Sequence, residues 1–237
     1  MNVPRWYAAA LPAYLAALLA VDTQVGLGVQ IGLGVLTFAG LAAALKPLPP
    51  LARAQALGVV VFATVGEVTG SLVWGVYHYR LHNLPLFIPP AHGLVYLSGL
   101  ALAGTLPRRW LVWIAAAGAA GWGIAGLTVL PRVDVAGAFG VPLLLVFLWR
   151  SRWRATYAAV FLVVAALELY GTAIGTWRWA TSLPGLGIAD GNPPSGAASG
   201  YVWFDVMAML VAPSFVVAGR YALRLAAAKR HEPDVSL

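Results

Sequence analysis

Eight apolar stretches, most of them about 20 residues long, take up most of the chain and restrict the folds open to it. Hydrophobic residues make up 61% of the 237 residues, charged residues make up 10%, and the mean hydropathy is +0.81. A helix needs about 20 apolar residues to cross the hydrocarbon core of a bilayer. The sequence therefore predicts an all-α polytopic integral membrane bundle with about eight transmembrane helices, at residues 5–21, 25–45, 54–76, 88–106, 110–130, 135–149, 155–177 and 200–222. The sixth stretch is short, so we expect it to be tilted, to thin the bilayer or to be partly re-entrant.

Basic residues collect in alternate loops between these stretches. Twelve of the 15 lie on one predicted side of the membrane, and three, Arg80, Arg132 and Arg178, lie on the other. Because Lys and Arg gather on the cytoplasmic side, we expect a multi-pass protein with both termini in the cytoplasm. Abundant alanine and arginine with only two lysines suggest a bacterial plasma membrane. The twelve are Arg5, Lys46, Arg53, Arg108, Arg109, Arg150, Arg152, Arg154, Arg220, Arg224, Lys229 and Arg230.

The net charge of +7 raises the question of an acidic partner. The basic residues form short clusters at helix ends, which favours contact with anionic membrane lipids and argues against nucleic acid. There is no cysteine, so disulfides and thiolate metal sites are excluded.

One pattern occurs twice, at residues 67–96 and 168–201. Both copies contain Glu-x-x-Gly-(Ser/Thr), a Gly followed by two alternating aromatic residues, a polar turn, Pro-Pro, a Gly and a Tyr, although their alignment needs a one-residue gap. Four spans separate the copies, and an even number of spans makes them parallel. We therefore predict two parallel four-helix repeats, 1–106 and 107–224, followed by a short cytoplasmic tail, 225–237.

Each copy places a glutamate, Glu67 or Glu168, inside an apolar stretch. At 1.5 Å per residue each lies roughly 10–12 Å below the outer aromatic belt. A carboxylate at membrane depth is costly unless the protein uses or pairs it, so both mark a site hypothesis. One interpretation is a protonated general acid. The other is a structural hydrogen-bonding group, or a carboxylate paired with Arg80 or Arg178.

Helical spacing predicts which neighbours share a face with each glutamate. The first stripe contains Glu67, Gly70, Ser71, Trp74 and His78; the second contains Glu168, Thr172, Gly175 and Trp179. Small residues also recur at spacing four, at Gly28 and Gly32 and at Ala115, Ala119 and Gly123, which predicts close helix packing.

Four further polar residues are candidates for the chemistry. His78, His82 and His92 suggest a metal site as a minority interpretation, although prolines in the intervening loop obscure its geometry and our leading hypothesis has no metal. His92 alone, at the start of the fourth helix, is a candidate partner for the acids. Asp205 is a third acid within a span, and it either shares a proton network with Glu168 or bonds helices together.

Aromatic residues crowd both copies near the outer ends of the helices. An interfacial belt explains them, and a pocket lining for flat apolar ligands is the alternative. The belt residues are Trp74, Tyr77, Tyr79, Trp177, Trp179, Trp203 and Phe204. The predicted substrate-binding residues are Trp74, Tyr77, Tyr96, Thr172, Trp179, Tyr201 and Trp203; the predicted catalytic residues are Glu67, Glu168, Asp205 and His92.

Two short segments resemble known families. The first contains Glu67-x-x-Gly70, Gly75-x-Tyr77-x-Tyr79, Leu84-Pro85 and Ile88-Pro89. It resembles the polytopic carotenoid-biosynthesis hydratases, in which an acidic residue, a Gly-x-Tyr-x-Tyr turn and a proline-rich helix start follow one another.

The second segment contains Leu169-Tyr170-Gly171, Tyr201-Val-Trp203-Phe204, Met209 and Leu210-Val211-Ala212-Pro213. It is similar to the last two helices of the emopamil-binding/EXPERA family of sterol isomerases and lipid-binding proteins. Each resemblance covers about 30–45 residues. Together they imply an intramembrane pocket with carboxylic acids, open to a flat isoprenoid or sterol.

These observations lead to one principal hypothesis: a membrane-embedded enzyme that acts on an isoprenoid, carotenoid or sterol-like lipid. Proton transfer by carboxylic acids would isomerise, hydrate or cyclise the lipid without a dissociable cofactor. The alternatives are a non-catalytic lipid-binding protein, a proton-coupled small-molecule transporter, and a structural or assembly subunit.

Overall fold

A computed structural model describes residues 3–229, and these residues form an almost entirely helical bundle. Nearly all of its residues in regular structure are helical, as predicted. The elements are α1 (Tyr7–Asp22), α2 (Leu27–Leu45), α3 (Pro50–Glu67), a π-helical segment (Val68–Trp74), β1 (Tyr77–Tyr79), α4 (Ile88–Ala103), α5 (Arg108–Thr128), α6 (Val135–Ala138), α7 (Gly140–Arg150), α8 (Arg154–Ala173), β2 (Trp177–Trp179), α9 (Ser195–Gly200) and α10 (Val202–Lys229).

Within the described residues these helices form eight segments of ten residues or more, as predicted. Five are long and apolar enough to cross a membrane: Leu27–Leu45, Pro50–Trp74, Arg108–Thr128, Arg154–Ala173 and Ser195–Tyr221. The three shorter ones are Tyr7–Asp22, Ile88–Ala103 and Val135–Arg150. Large apolar side chains face outward on several of them; Trp113, for example, is 71% exposed and Leu210 is 69% exposed. Such surfaces are typical of lipid-facing helices and suggest a multi-pass membrane protein.

The last helix continues past its predicted end at residue 222 and reaches Lys229. The first five residues of the predicted tail are therefore helical. The remainder, 230–237, lies outside the described residues.

Proline and glycine set the ends of the helices that carry the repeat. Pro50 begins α3, and α4 begins with Ile88 followed by a proline pair, because proline fits the first turn of a helix. At the other end, Gly75 and Gly175 adopt φ angles of 77° and 81°. This left-handed conformation is accessible to glycine, and it turns the chain out of the helix.

The residues after these glycines are extended, where the sequence predicted continuing helix or a polar turn. Strands β1 and β2 pair antiparallel with Tyr77 opposite Trp179 and Tyr79 opposite Trp177. Two flanking hydrogen bonds extend the ladder, from Arg80 N to Thr176 O (3.0 Å) and from Ala180 N to Val76 O (2.9 Å). The predicted helical stripes are therefore wrong at His78, Gly175 and Trp179, which lie beyond the helix ends.

The helices that carry the repeat form the centre of the bundle. Helix α10 packs along α3, and α4 packs against α8, α3 and α1. Glycines allow the close approach: a Cβ at Gly99 of α4 would lie 2.3 Å from Val160 Cγ2 of α8. Ala115, Ala119 and Gly123 are buried, as the small-residue spacing predicted. Gly28 and Gly32 face open space instead, so the packing prediction for that pair is wrong.

Candidate functional site

A cavity of about 620 Å³ lies between α3, α4, α8 and α10, below the paired strands. Its wall is mostly aliphatic and aromatic, and both repeat glutamates and His92 line it. The copies of the repeat therefore contribute their acids to one space. Of the predicted site residues, the cavity lining includes Glu67, Glu168, His92, Trp74, Tyr77, Trp179, Tyr201 and Trp203.

Two phenols donate hydrogen bonds to the carboxyl group of Glu67, and an imidazole lies beside it. The hydroxyls of Tyr77 and Tyr79 both donate to its Oε2, at 2.6 Å each. Nε2 of His92 lies 3.2 Å from its Oε1. A carboxylate oxygen can accept more than one hydrogen bond, and Oε2 accepts both phenols here.

The tyrosines of β1 lie outside the apolar spans and stay protonated. Burial first, and then the charge of Glu67, raises the pKa of the phenols of Tyr77 and Tyr79 well above the usual value. Both phenols are thus held as hydrogen-bond donors. The sequence placed Tyr79 in the aromatic belt and did not assign it to the site; its alternation with Tyr77 after Gly75 was the available signal.

His92 connects the first copy of the repeat to the second. Its Nδ1 lies 2.9 Å from the hydroxyl of Tyr201, at the junction of α9 and α10. Nε2, on the other side of the ring, faces Glu67. A polar chain therefore runs from Tyr201 through His92 to Glu67.

Glu168 has a different environment at the matching position. The indole Nε1 of Trp177 donates to its Oε2 at 3.0 Å. Trp177 corresponds in the repeat to Tyr77, so in each copy an aromatic residue two positions after the left-handed glycine binds the glutamate. Trp177 was also assigned only to the belt. The two carboxyl groups share a cavity, but Glu67 has a richer set of donors.

Neither glutamate pairs with the arginines that the alternative interpretation named. Arg80 donates to the backbone oxygens of Asp22 and Val25 at the end of α1. Arg178 is exposed at the centre of β2. The hydrogen bonds to the glutamates do join helix to strand, as a structural role would also require.

Three predicted site residues do not line the cavity. Asp205 is fully buried, and neither of its oxygens has a hydrogen-bond partner among the described residues, so the predicted network with Glu168 is not formed. The Tyr96 hydroxyl donates to Gln55 Oε1 at 3.2 Å. Thr172 Oγ1 is buried and makes no hydrogen bond within residues 3–229. These side chains point into packed regions because α4, α8 and α10 each present a second face to the bundle.

The three histidines of the predicted metal site lie in different surroundings. His78 is exposed on β1, and His82 occupies a turn with a φ angle of 56°. His92 alone faces the cavity. Across residues 3–229 no group of three or more His, Cys, Asp or Glu side chains is arranged to hold a metal ion.

The cavity opens on one side, between the end of α3 and the start of α10. Lining residues there are exposed: Val65 by 61%, Trp203 by 51% and Trp74 by 45%. On the opposite side, buried Leu15, Leu18 and Leu19 of α1 close the wall. The indole of Trp74 also donates to Pro184 O at 3.0 Å, which ties the rim to the loop after β2. The opening faces the surface that the apolar helices present to lipid.

Comparisons with models of known families, with curated proteins and with solved structures find no match to this chain.

Proposed function

We propose that this chain is a membrane-embedded enzyme that moves a proton on an apolar, isoprenoid-like lipid. The observation that carries the proposal is the presence of two carboxyl groups with different hydrogen-bond donors in one aromatic-lined cavity. Pairs of titratable groups in unequal environments are how enzymes separate acid from base.

In this proposal Glu168 is the general acid. It receives a hydrogen bond from one indole and lies in an apolar wall, which favours its neutral form. Its proton adds to one carbon of a carbon–carbon double bond and leaves a carbocation on the other. The faces of Trp179 and Tyr77 line the same space and stabilise the positive charge.

Glu67 is the base. Tyr77, Tyr79 and His92 hold it as a carboxylate, and it removes a proton from the carbon next to the cation. The lipid gains one proton from Glu168 and loses another to Glu67, so the net reaction is a double-bond isomerisation. It is a cyclisation if a second double bond of the lipid attacks the cation first. If Glu67 instead directs a water molecule to the cation, the product is a hydrate.

The lateral opening supports a lipid as the substrate. Its rim, formed by Val65, Trp74 and Trp203, is apolar and aromatic. A cavity of about 620 Å³ is in the range of typical small-molecule pockets. A longer chain would extend through the opening into the bilayer, with its reacting double bond between the two acids.

The finer predictions on topology belong to the same proposal: two parallel halves, both termini in the cytoplasm, and a plasma-membrane location. The antiparallel pairing of β1 with β2 supports the parallel halves, because a twofold axis through the register pair His78–Arg178 exchanges the strands. The same axis relates the contact of Glu67 with Tyr77 to the contact of Glu168 with Trp177.

The decisive test replaces each acid with its amide. In the native host, Glu168→Gln and Glu67→Gln should each lower product formation by about 100-fold or more, a typical size for loss of a general acid or base. Mass spectrometry of extracted lipids should show an accumulated precursor and a missing product. Asp22→Asn makes the same chemical change at a buried acid outside the cavity and should leave the lipids unchanged.

Other results would reassign the chain. An unaltered lipid profile in both variants would reject the catalytic proposal. If the profile is unaltered and purified Glu variants only melt at lower temperature, the acids are structural. Substrate-driven proton flux in proteoliposomes would instead support a transporter.

A further inference from the structure

A second, smaller cavity of about 220 Å³ lies at the opposite end of the bundle from the glutamates. It is bounded by the end of α4, the start of α5 and the turn that leads into α8. Its lining residues are Leu100, Ala103, Gly104, Arg108, Arg152, Trp153, Ala155 and Thr156. We call it the arginine cavity. It lies at the helix ends, and the ends of helices that span a bilayer meet the lipid headgroups.

Two positively charged side chains, Arg108 and Arg152, line this cavity. Arg109, Arg150 and Arg154 lie within two residues of them in sequence. The six acidic residues of the described part of the chain are all near the other ends of their helices or in the loops there: Asp22, Glu67, Asp134, Glu168, Asp190 and Asp205. Two guanidinium groups in one cavity repel each other, and an anion between them would remove that repulsion.

The arginines are held in place by specific contacts. Arg108 donates to the backbone oxygen of Arg152 at 3.1 Å, which joins the start of α5 to the turn before α8. The guanidinium of Arg152 lies over the ring of Trp153, 5.1 Å from its centroid. A planar guanidinium positioned in this way presents its remaining N–H groups to an oxyanion, commonly in bidentate geometry.

The rest of the wall suits the remainder of a lipid molecule. Leu100, Ala103 and Ala155 give it an apolar side, and Thr156 contributes a hydroxyl. Helices α5 and α8 also begin here, at Arg108 and Arg154, so the positive ends of both helix dipoles are close by. Basic pockets between helices at this depth are known to take anionic headgroups.

We propose that the arginine cavity binds the phosphate of an anionic phospholipid headgroup, with the acyl chains lying against α4 and α8. This inference does not depend on the reaction proposed for the glutamate cavity. It assigns the chain a lipid that is bound at its surface and is not its substrate.

The test uses the full-length protein purified in a neutral detergent, where no charged bilayer is present. Native mass spectrometry would measure binding of phosphatidylglycerol and of phosphatidylcholine. Arg152→Gln removes a guanidinium that makes no hydrogen bond to the described residues, so the fold should persist. Loss of a charge-assisted hydrogen bond should weaken phosphatidylglycerol binding about tenfold.

Arg109→Gln is the matched control. It removes the same charge from a neighbouring arginine that also lies over a tryptophan, Trp110, but lies outside the cavity. It should bind phosphatidylglycerol about as well as the wild type does. A melting curve for each variant checks that it is folded, and Arg152→Lys tests the geometry, because it keeps the charge but loses the planar fork.

Three outcomes would overturn the proposal. Equal losses in Arg152→Gln and Arg109→Gln would mean that only the overall charge attracts the lipid. Equal binding of phosphatidylcholine would mean that the anionic character of the headgroup is not recognised. Displacement of phosphatidylglycerol by millimolar inorganic phosphate, with phosphate bound alone, would identify free phosphate as the ligand.

Discussion

Glu67 and Glu168 differ in the groups that donate hydrogen bonds to them. Two phenols donate to Glu67 and the imidazole of His92 lies 3.2 Å from it, whereas one indole donates to Glu168. Each added donor stabilises the charged form of a carboxyl group, and burial without donors stabilises the neutral form. The two acids at matching positions of the repeat therefore have different hydrogen-bonding environments.

Outside the cavity, Asp190 lies in a polar cluster in the loop after β2. Arg132 donates to its backbone oxygen from Nη2 at 2.8 Å, and also to the backbone oxygens of Trp179 and Ala180. Asp134 accepts hydrogen bonds from the backbone nitrogens of Gly137, Gly191 and Ser195. Burial, and then the nearby charge of Asp134, raises the pKa of Asp190 to about 6.

This raised pKa predicts how the loop responds to pH. An unfolded Asp has a pKa of about 4, so the folded loop holds the proton of Asp190 more tightly. Its contribution to the free energy of unfolding is therefore fully present below about pH 4 and is lost as the pH rises through about 6. Hydrogen exchange of the amides in 180–194 should become faster between pH 4 and pH 7, after correction for the intrinsic rate.

Asp190→Asn provides the comparison for this pH dependence, because an amide keeps the size of the side chain but does not titrate. Its corrected exchange rates should vary little over the same range. If the corrected exchange rates of the wild type and of Asp190→Asn change equally with pH, the prediction is wrong.

At the scale of elements, the π-helical segment explains the gap in the repeat. Glu67 precedes its left-handed glycine by eight residues, and Glu168 precedes its own by seven. A π-helical turn contains one more residue than an α-helical turn and absorbs the difference. Tyr77 therefore reaches Glu67 in the same way that Trp177 reaches Glu168.

The contact between α4 and α8 depends on Gly99, where the two backbones approach closely. At Gly99 an added Cβ would lie 2.3 Å from Val160 Cγ2 and 3.0 Å from the Val160 backbone nitrogen. Gly99→Ala must push the helices apart and should lower the free energy of unfolding by about 1–3 kcal/mol, the usual cost of overpacking. A thermal melt in detergent measures the change.

Gly28→Ala is the control for that experiment. Gly28 is also within a helix, but nothing lies within 4 Å of a Cβ added there. The alanine should be neutral, or stabilising by less than about 1 kcal/mol through helix propensity. Equal melting temperatures for the two alanine variants would show that the α4–α8 contact has room to spare.

At the scale of the whole molecule, the local twofold relation is broken by α1. This helix packs against both α4 and α8 and closes one side of the cavity. Under the proposed division into two halves its counterpart is α5, which packs against α8 and makes no comparable contact with α3 within the described residues. The cavity consequently opens on the α3–α10 side alone.

The opening can be blocked without altering either acid. Val65→Trp places a large side chain at the rim and should reduce turnover of the lipid about tenfold or more, because the substrate must pass it. Val61→Trp adds the same side chain one turn earlier, on an exposed position outside the cavity lining. It should keep wild-type turnover. Similar turnover in both variants would exclude this route of entry.

The sequence by itself determined the fold class of the chain and the approximate positions of its helices. The length of each apolar segment and the proline and glycine residues at its ends are local properties of the sequence. They predicted eight helices, and most predicted ends lie within a few residues of the observed ones. The repeated motif likewise identified Glu67 and Glu168 as equivalent. The prediction of the helices was confirmed because it depends on residues close together along the chain.

Only the tertiary structure decided which side chains meet. His92 and Tyr201 are 109 positions apart, and their contact depends on how α4 and α10 are placed. The same placement put Asp205 outside the cavity and paired β1 with β2. Helical periodicity predicts the face on which a residue lies, but a buried helix has several packed faces, and its neighbours determine which one borders the cavity.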